Sequence, residues 1–138
     1  MKLTGGCFCK SLEYEAVVEP GRIGVCHCRD CQIFSGSAFR TVGVVLPADF
    51  KFTQGTPTCF DKTGDSGSIR RMAFCGVCGT HICALPGEES SAPFISLRVS
   101  TANQFDQLVP VMEAYCVSKV PWLSPITGAQ QFDRLPPG

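Results

Sequence analysis

Seven of the ten cysteines in this 138-residue chain fall into three short groups. Thiols at such spacings can do two kinds of chemistry: hold a soft metal ion, or exchange electrons through disulfides. The groups are Cys7 and Cys9 in "GGCFCK", Cys26, Cys28 and Cys31 in "VCHCRDCQ", and Cys75 and Cys78 in "FCGVCGTHI". The middle group is the one that asks a question. A closed structural zinc site takes four ligands, so three thiols either recruit a fourth from elsewhere or leave a coordination position to something that is not protein. Cys59, Cys83 and Cys116 stand alone, and the ordinary use of an isolated cysteine is as a small buried apolar residue.

Composition sets the conditions for that chemistry. With 44% hydrophobic and 17% charged residues the chain is too apolar for disorder, and its length suits one domain, residues 1–138. Net charge is zero and the Lys and Arg residues are scattered, so neither nucleic acid nor an anionic membrane is expected as a partner. Met1 is followed by "KLTGGCFCK" without an apolar leader core, and no long apolar run follows, which leads us to expect a cytoplasmic protein. In a reducing compartment, clustered cysteines bind metal or do chemistry more often than they form disulfides. The thioredoxin-like reading of CxxC requires a strand-to-helix context that this sequence lacks.

The elements that must position the thiols read as strands. "SLEYEAVV" alternates Leu12, Tyr14, Ala16 and Val18 against Glu13 and Glu15, the period of a half-buried strand. Further candidates are "AFRTVGVVL", "FKFTQG", "TPTCFDKT", "SIRRMAFC", "THICAL", "FISLRVS" and "MEAYCVS", separated by turn signals at "EPG", "LPAD", "TGDSGS" and "LPGEES". Short helices are expected at "RDCQIF" and at "STANQFDQL", with Ser100 or Thr101 as N-cap. The Pro- and Gly-rich tail is expected to lie over the body as an extended segment. The fold class is therefore mainly β, a small domain of antiparallel sheets with short helical segments.

On a strand, residues two apart share a face, so Cys7 and Cys9 can aim both sulfurs at one ion, as can Cys26 and Cys28, with Phe8 and His27 turned away. Cys75 and Cys78 with Gly79 resemble a zinc knuckle. The simplest partition joins Cys7, Cys9, Cys75 and Cys78 in a four-thiolate site that staples the N-terminus to the middle of the chain. It leaves Cys26, Cys28 and Cys31 as a three-thiolate site. In the competing partition a lone cysteine or His27 closes that second site and makes it structural too.

Four segments, "GGCFCKSLEYEA", "CHCRDCQIFSGSAF", "FCGVCGTHI" and "SKVPW", resemble in order the motifs of the glutathione-dependent formaldehyde-activating enzyme family, which includes the centromere protein V group. The resemblance implies a zinc-stapled β-tent fold with two zinc ions, a structural one held by Cys7, Cys9, Cys75 and Cys78 and a catalytic one held by Cys26, Cys28 and Cys31. It also implies a carbon-sulfur lyase that binds a thiol, glutathione by type, and adds it reversibly to formaldehyde or a related aldehyde to give S-hydroxymethylglutathione. A homo-oligomer is compatible with this reading. The chain departs from the family pattern at Lys10, where Gly usually follows the second cysteine, and it places Glu113 nine residues before Trp122, where many members have His or Glu.

Ligand chemistry supports a thiol substrate. Three thiolates around a divalent zinc carry net charge of about minus one, which makes hydroxide formation poor and favours a further soft sulfur ligand. Around the centre, His27, His81 and Glu113 are candidates for proton handling, although packing or solvation is the default role of each. Lys10, Arg29, Arg40, Arg71, Arg98 and Lys119 are candidate cations, with Arg29, inside the thiol loop, ranked first. Phe34, Phe39 and Trp122 are candidate pocket or core aromatics. A non-catalytic zinc-stapled binding module and a thiol redox sensor remain the competing functions.

Overall fold

Alternation in the second of these segments carries straight into structure: Tyr14 and Ala16 are buried while Glu13, Glu15 and Val17 face solvent. A computed structural model of the chain describes residues 1–64, 67–87 and 93–137. Its elements are β1 (Lys2–Gly6), β2 (Glu13–Val17), β3 (Ile23–Cys26), α1 (Arg29–Ser35), β4 (Arg40–Val45), β5 (Phe50–Gln54), β6 (Thr58–Thr63), β7 (Ile69–Phe74), β8 (His81–Pro86), β9 (Ile95–Leu97), β10 (Met112–Ala114) and β11 (Gln130–Gln131). The turn signals at 63–68 and 85–90 fall partly outside the described residues.

Two sheets form. One has the order β1-β2-β5, the other β11-β10-β3-β4-β9-β8-β7-β6. Leu3, Tyr14, Ala16 and Val18 of the small sheet and its edges meet Ile23, Val45, Ile82, Ile95, Leu97 and Val99 of the large one in a single cluster. Packing is close where β10 meets β3: a Cβ at Gly24 would stand 2.6 Å from the Met112 side chain, so only glycine fits there.

The sheets are not wholly antiparallel, because β10 runs parallel to both β3 and β11. The chain reaches β10 and β11 by long connections instead of tight hairpins, and long connections permit parallel approach. The segment "STANQFDQL" forms two separate 3₁₀ turns, Val99–Thr101 and Phe105–Gln107, and neither Ser100 nor Thr101 caps a helix. Tertiary bonds win over a short helix: the Asn103 N–H donates to the Thr4 carbonyl at 2.8 Å, and the Thr101 hydroxyl pairs with Tyr14 Oη at 2.9 Å. The helix expected at "RDCQIF" is α1, and Gly36 ends it in the left-handed region at φ 63°. The tail runs along β10, with Gln130 N donating to Val111 and Phe132 N to Glu113, each at 2.9 Å. Of the isolated cysteines only Cys83 is a buried core residue; Cys59 is exposed and Cys116 half-buried.

Candidate metal centres

Turns, not strands, aim the thiols. Cys7 follows the end of β1, and the chain reverses so that Lys10 N donates to the Cys7 carbonyl and Leu12 N to Cys7 Sγ at 3.2 Å. In the loop between β7 and β8, Cys75 Sγ accepts from Val77 N at 3.4 Å and Cys78 N at 3.5 Å, and Gly79 closes the turn at φ 80°. The expectation that strand geometry pairs Cys7 with Cys9 and Cys26 with Cys28 is thus replaced by two knuckles and a helix cap. Phe8 does point away, and it is 88% exposed.

The two knuckles meet. Phe8 N donates to Thr80 Oγ1 at 3.1 Å, and all four sulfurs of Cys7, Cys9, Cys75 and Cys78 lie within 4.8 Å of one another. Cys7 and Cys9 sulfurs are 3.6 Å apart, Cys9 and Cys75 sulfurs 3.7 Å. A tetrahedron with arms of about 2.3 Å has an edge of about 3.8 Å, so this set fits a zinc ion. Donors around the sulfurs favour thiolates: the Thr80 hydroxyl, the Thr80 N–H and the Cys9 N–H hold Cys78 down at about 5. Burial pushes Cys7 the other way.

At the second cluster, Cys26 ends β3, Cys28 is the N-cap of α1, and Cys31 lies in its first turn. Cys31 N donates to Cys28 Sγ at 3.4 Å, so a sulfur does the capping that Ser or Asp oxygen usually does. Hydrogen bonds from Cys26 and Cys31 draw Cys28 far down, while the same contacts push Cys26 up. The three sulfurs lie within 4.8 Å of one another, and among the described residues no further His, Cys, Asp or Glu joins them. Their geometry also fits a thiophilic ion.

His27, between two of these thiols, turns away and donates from Nε2 to Glu113 Oε1 at 2.7 Å. It therefore does not complete the cluster. Glu113 also accepts from Lys119 Nζ at 3.1 Å, from Ile126 N at 2.8 Å and from Gln131 Nε2. Burial raises the Glu113 carboxyl, but these four donors outweigh it and hold the group at about 2. Gln32 on α1 fastens the same loop, donating to the carbonyls of His27 at 2.9 Å and Ser118 at 3.1 Å.

The model of the family described as glutathione-dependent formaldehyde-activating enzyme matches residues 2–118, which take in both cysteine clusters and Glu113. The chain belongs to this family. A curated relative, an uncharacterized lyase of Schizosaccharomyces pombe, is 29% identical over 79 residues, 55% of this chain and 52% of that protein. The chain thus spans about half the length of the relative it matches. A crystal structure of a Rhodobacter sphaeroides protein is similar at a TM-score of 0.57 and 16% identity, covering 75% of this chain and 88% of that one, which shows a shared fold.

Against the motifs of this formaldehyde-activating family, the departure at Lys10 has a backbone consequence. Lys10 sits at φ 69°, the left-handed position that Gly79 fills in the other knuckle. Glu113 is not a solvated carboxylate, as the sequence suggested, but a buried anion saturated with donors. Arg29 is exposed and donates to Gln32 Oε1 at 2.9 Å, whereas Arg40 and Arg98 are each 94% buried, the complement of 6% exposure. Arg40 stands directly opposite Cys26 in the β3–β4 register. Its guanidinium lies 5.6 Å from the Phe34 ring, which is itself 5.5 Å from His81. Burial, then Arg40 and Arg98, push His81 down, so it is neutral. Phe39 packs against His27 at 5.6 Å, and Trp122 is exposed, so it lines no core. Gln32 and Gln131 carry no signal in the sequence, and Lys119 stands there only as one candidate cation among six, because nothing local links them to the thiol loop.

Proposed function

We propose that this family member is a carbon-sulfur lyase that joins a thiol such as glutathione to formaldehyde or a related aldehyde, reversibly, with two zinc ions per chain. The observation that carries the reading is the three-sulfur cluster of Cys26, Cys28 and Cys31, which no fourth ligand side chain among the described residues completes. Cys26, Cys28 and Cys31 would hold one zinc, and Cys7, Cys9, Cys75 and Cys78 the other. Zinc at the three-thiolate site supplies a soft cation that binds a thiol and lowers its pKa towards the thiolate.

The chain's own residues do the rest. Glu113 orients His27 and with it the backbone between Cys26 and Cys28, and Gln32 pins that loop from the helix side. Glu113 is ionised and fully bonded, which removes it as a proton donor. In the net reaction the sulfur forms a bond to the aldehyde carbon, the carbonyl π electrons pass to oxygen, and the proton given up by the thiol ends on that oxygen through solvent. A cytoplasmic setting, rich in thiols, suits this chemistry.

The test is direct. Zinc-loaded protein should accelerate formation of S-hydroxymethylglutathione from glutathione and formaldehyde, followed by exchange NMR, and Cys28→Ser should abolish the acceleration while circular dichroism stays native. Full activity in Cys28→Ser overturns the assignment.

A further inference from the structure

Arg40 and Arg98 are buried cations without a carboxylate partner. The ion pairs among the described residues are His27–Glu113, Lys51–Glu15, Lys62–Asp30, Arg71–Asp61 and Lys119–Glu113, and neither arginine takes part. Arg40 Nε and Nη1 and Arg98 Nε are sealed from solvent and have no hydrogen-bond acceptor. Arg98 donates only from Nη1, to the Ser96 carbonyl at 3.0 Å and Ser96 Oγ at 2.9 Å. Burying a guanidinium without an opposite charge costs several kcal/mol, so a nearby anion must offset it.

The anion is the cysteine cluster. Arg40 stands opposite Cys26 in the β3–β4 register, Arg98 follows β9, the strand that pairs with the other edge of β4, and the charges of both bear on Cys31. Lys62, which also acts on Cys28, is neutralised by Asp30 at 2.7 Å, His81 is pushed down, and burial pushes the Cys83 thiol up to about 12. Three thiolates and a divalent zinc sum to about minus one, while two guanidiniums contribute plus two. The centre with its arginines is one negative charge short of neutral.

We propose that Arg40 and Arg98 make the three-cysteine centre a receptor for one monoanion, selecting the substrate sulfur as thiolate over neutral thiol or water. This rests on the thiol-binding reading above. The guanidiniums act through their field: Arg40 Nε and Nη1 and Arg98 Nε are enclosed and out of reach of a ligand's carboxylate. That field bears on the sulfur at the centre, whichever tail the thiol carries.

Isothermal titration of the zinc-loaded protein with 2-mercaptoethanol, whose tail is neutral, and 3-mercaptopropionate, whose tail is anionic, tests this without turnover. Arg40→Gln and Arg98→Gln should each weaken both thiols alike by about tenfold. Arg40→Lys and Arg98→Lys, which keep the charge, should stay within about threefold of the parent. Zinc content and circular dichroism report folding, and if Arg40→Gln does not fold, Arg98→Gln against Arg98→Lys carries the comparison. Unchanged binding in the Gln variants overturns the proposal, and so does a loss confined to 3-mercaptopropionate, which would mean a carboxylate subsite. Failure of the parent protein to bind either thiol would instead remove the lyase reading itself, and this inference with it.

Discussion

His27 and Glu113, separated by 86 positions in sequence, stand 2.7 Å apart with each side chain only 1% exposed. The pair joins the thiol loop after β3 to the strand beside it, and Glu113 extends the link to the tail through Ile126 and Gln131. One carboxylate thereby ties together, through side chains, segments that the β3–β10–β11 pairing already brings side by side.

Glu113→Gln keeps the shape of the side chain but places an amide among four donors. All four bonds lose their anionic acceptor and at least one donor loses its acceptor altogether. We expect a stability loss of about 2–4 kcal/mol by urea denaturation of the zinc-loaded protein, together with faster zinc release to a chelator. An unchanged denaturation midpoint would show that the hub does not support the fold.

The same carboxylate predicts a pH dependence. Its folded pKa of about 2 lies below the ordinary 4.5, so the unfolded state binds its proton first as acid is added. Its contribution is therefore complete above pH 4.5 and is lost as pH falls from there through about 2. The stability gap between the parent protein and Glu113→Gln should shrink across that window. The comparison is made over the part of that window in which metal analysis shows both proteins still hold their zinc, because zinc loss itself unfolds the chain.

Lys10 and Gly79 occupy equivalent turns at φ 69° and 80°. Lys10→Gly should stabilise by about 0.5–1 kcal/mol, since relief of left-handed strain exceeds the added freedom of the unfolded chain. Gly79→Ala should destabilise by about 1–2 kcal/mol. No heavy atom lies within 4 Å of a Cβ built there, so the cost is backbone strain alone. Thermal melts of both variants check the opposite signs.

Cys75→Ser should behave unlike Cys28→Ser. Cys75 is 2% exposed and clusters with three other sulfurs, which together could hold one ion and tie the two knuckles. Binding of a structural zinc contributes about 10–16 kcal/mol, more than the whole stability of most domains, about 5–15 kcal/mol. The variant should therefore fail to hold this zinc and unfold, and chelation of the parent protein should produce the same loss of circular dichroism signal.

Much of this was legible residue by residue. The alternation in β2, the strand runs of β4 to β8 and the short helix at Arg29–Ser35 follow from side-chain periods that local sterics impose. The spacings of Cys7 with Cys9 and of Cys75 with Cys78 already marked two halves of a metal site, because a CxC or CxxC turn brings its sulfurs together unaided. The left-handed demand at Lys10 was readable in principle from its place after a second cysteine.

What only tertiary structure decided concerns partners far apart in the chain. It joined the two knuckles, turned His27 away from the thiols towards Glu113, buried Glu113 under the tail, and buried Arg40 opposite Cys26 while leaving Arg29 exposed. It also ran β10 parallel to β3 and broke the expected helix after Arg98 into turns. The reason is physical: turn geometry and side-chain period act over a few bonds and are written in neighbouring residues, whereas burial, charge balance and the choice of hydrogen-bond partner depend on which distant segments the collapsed chain sets side by side.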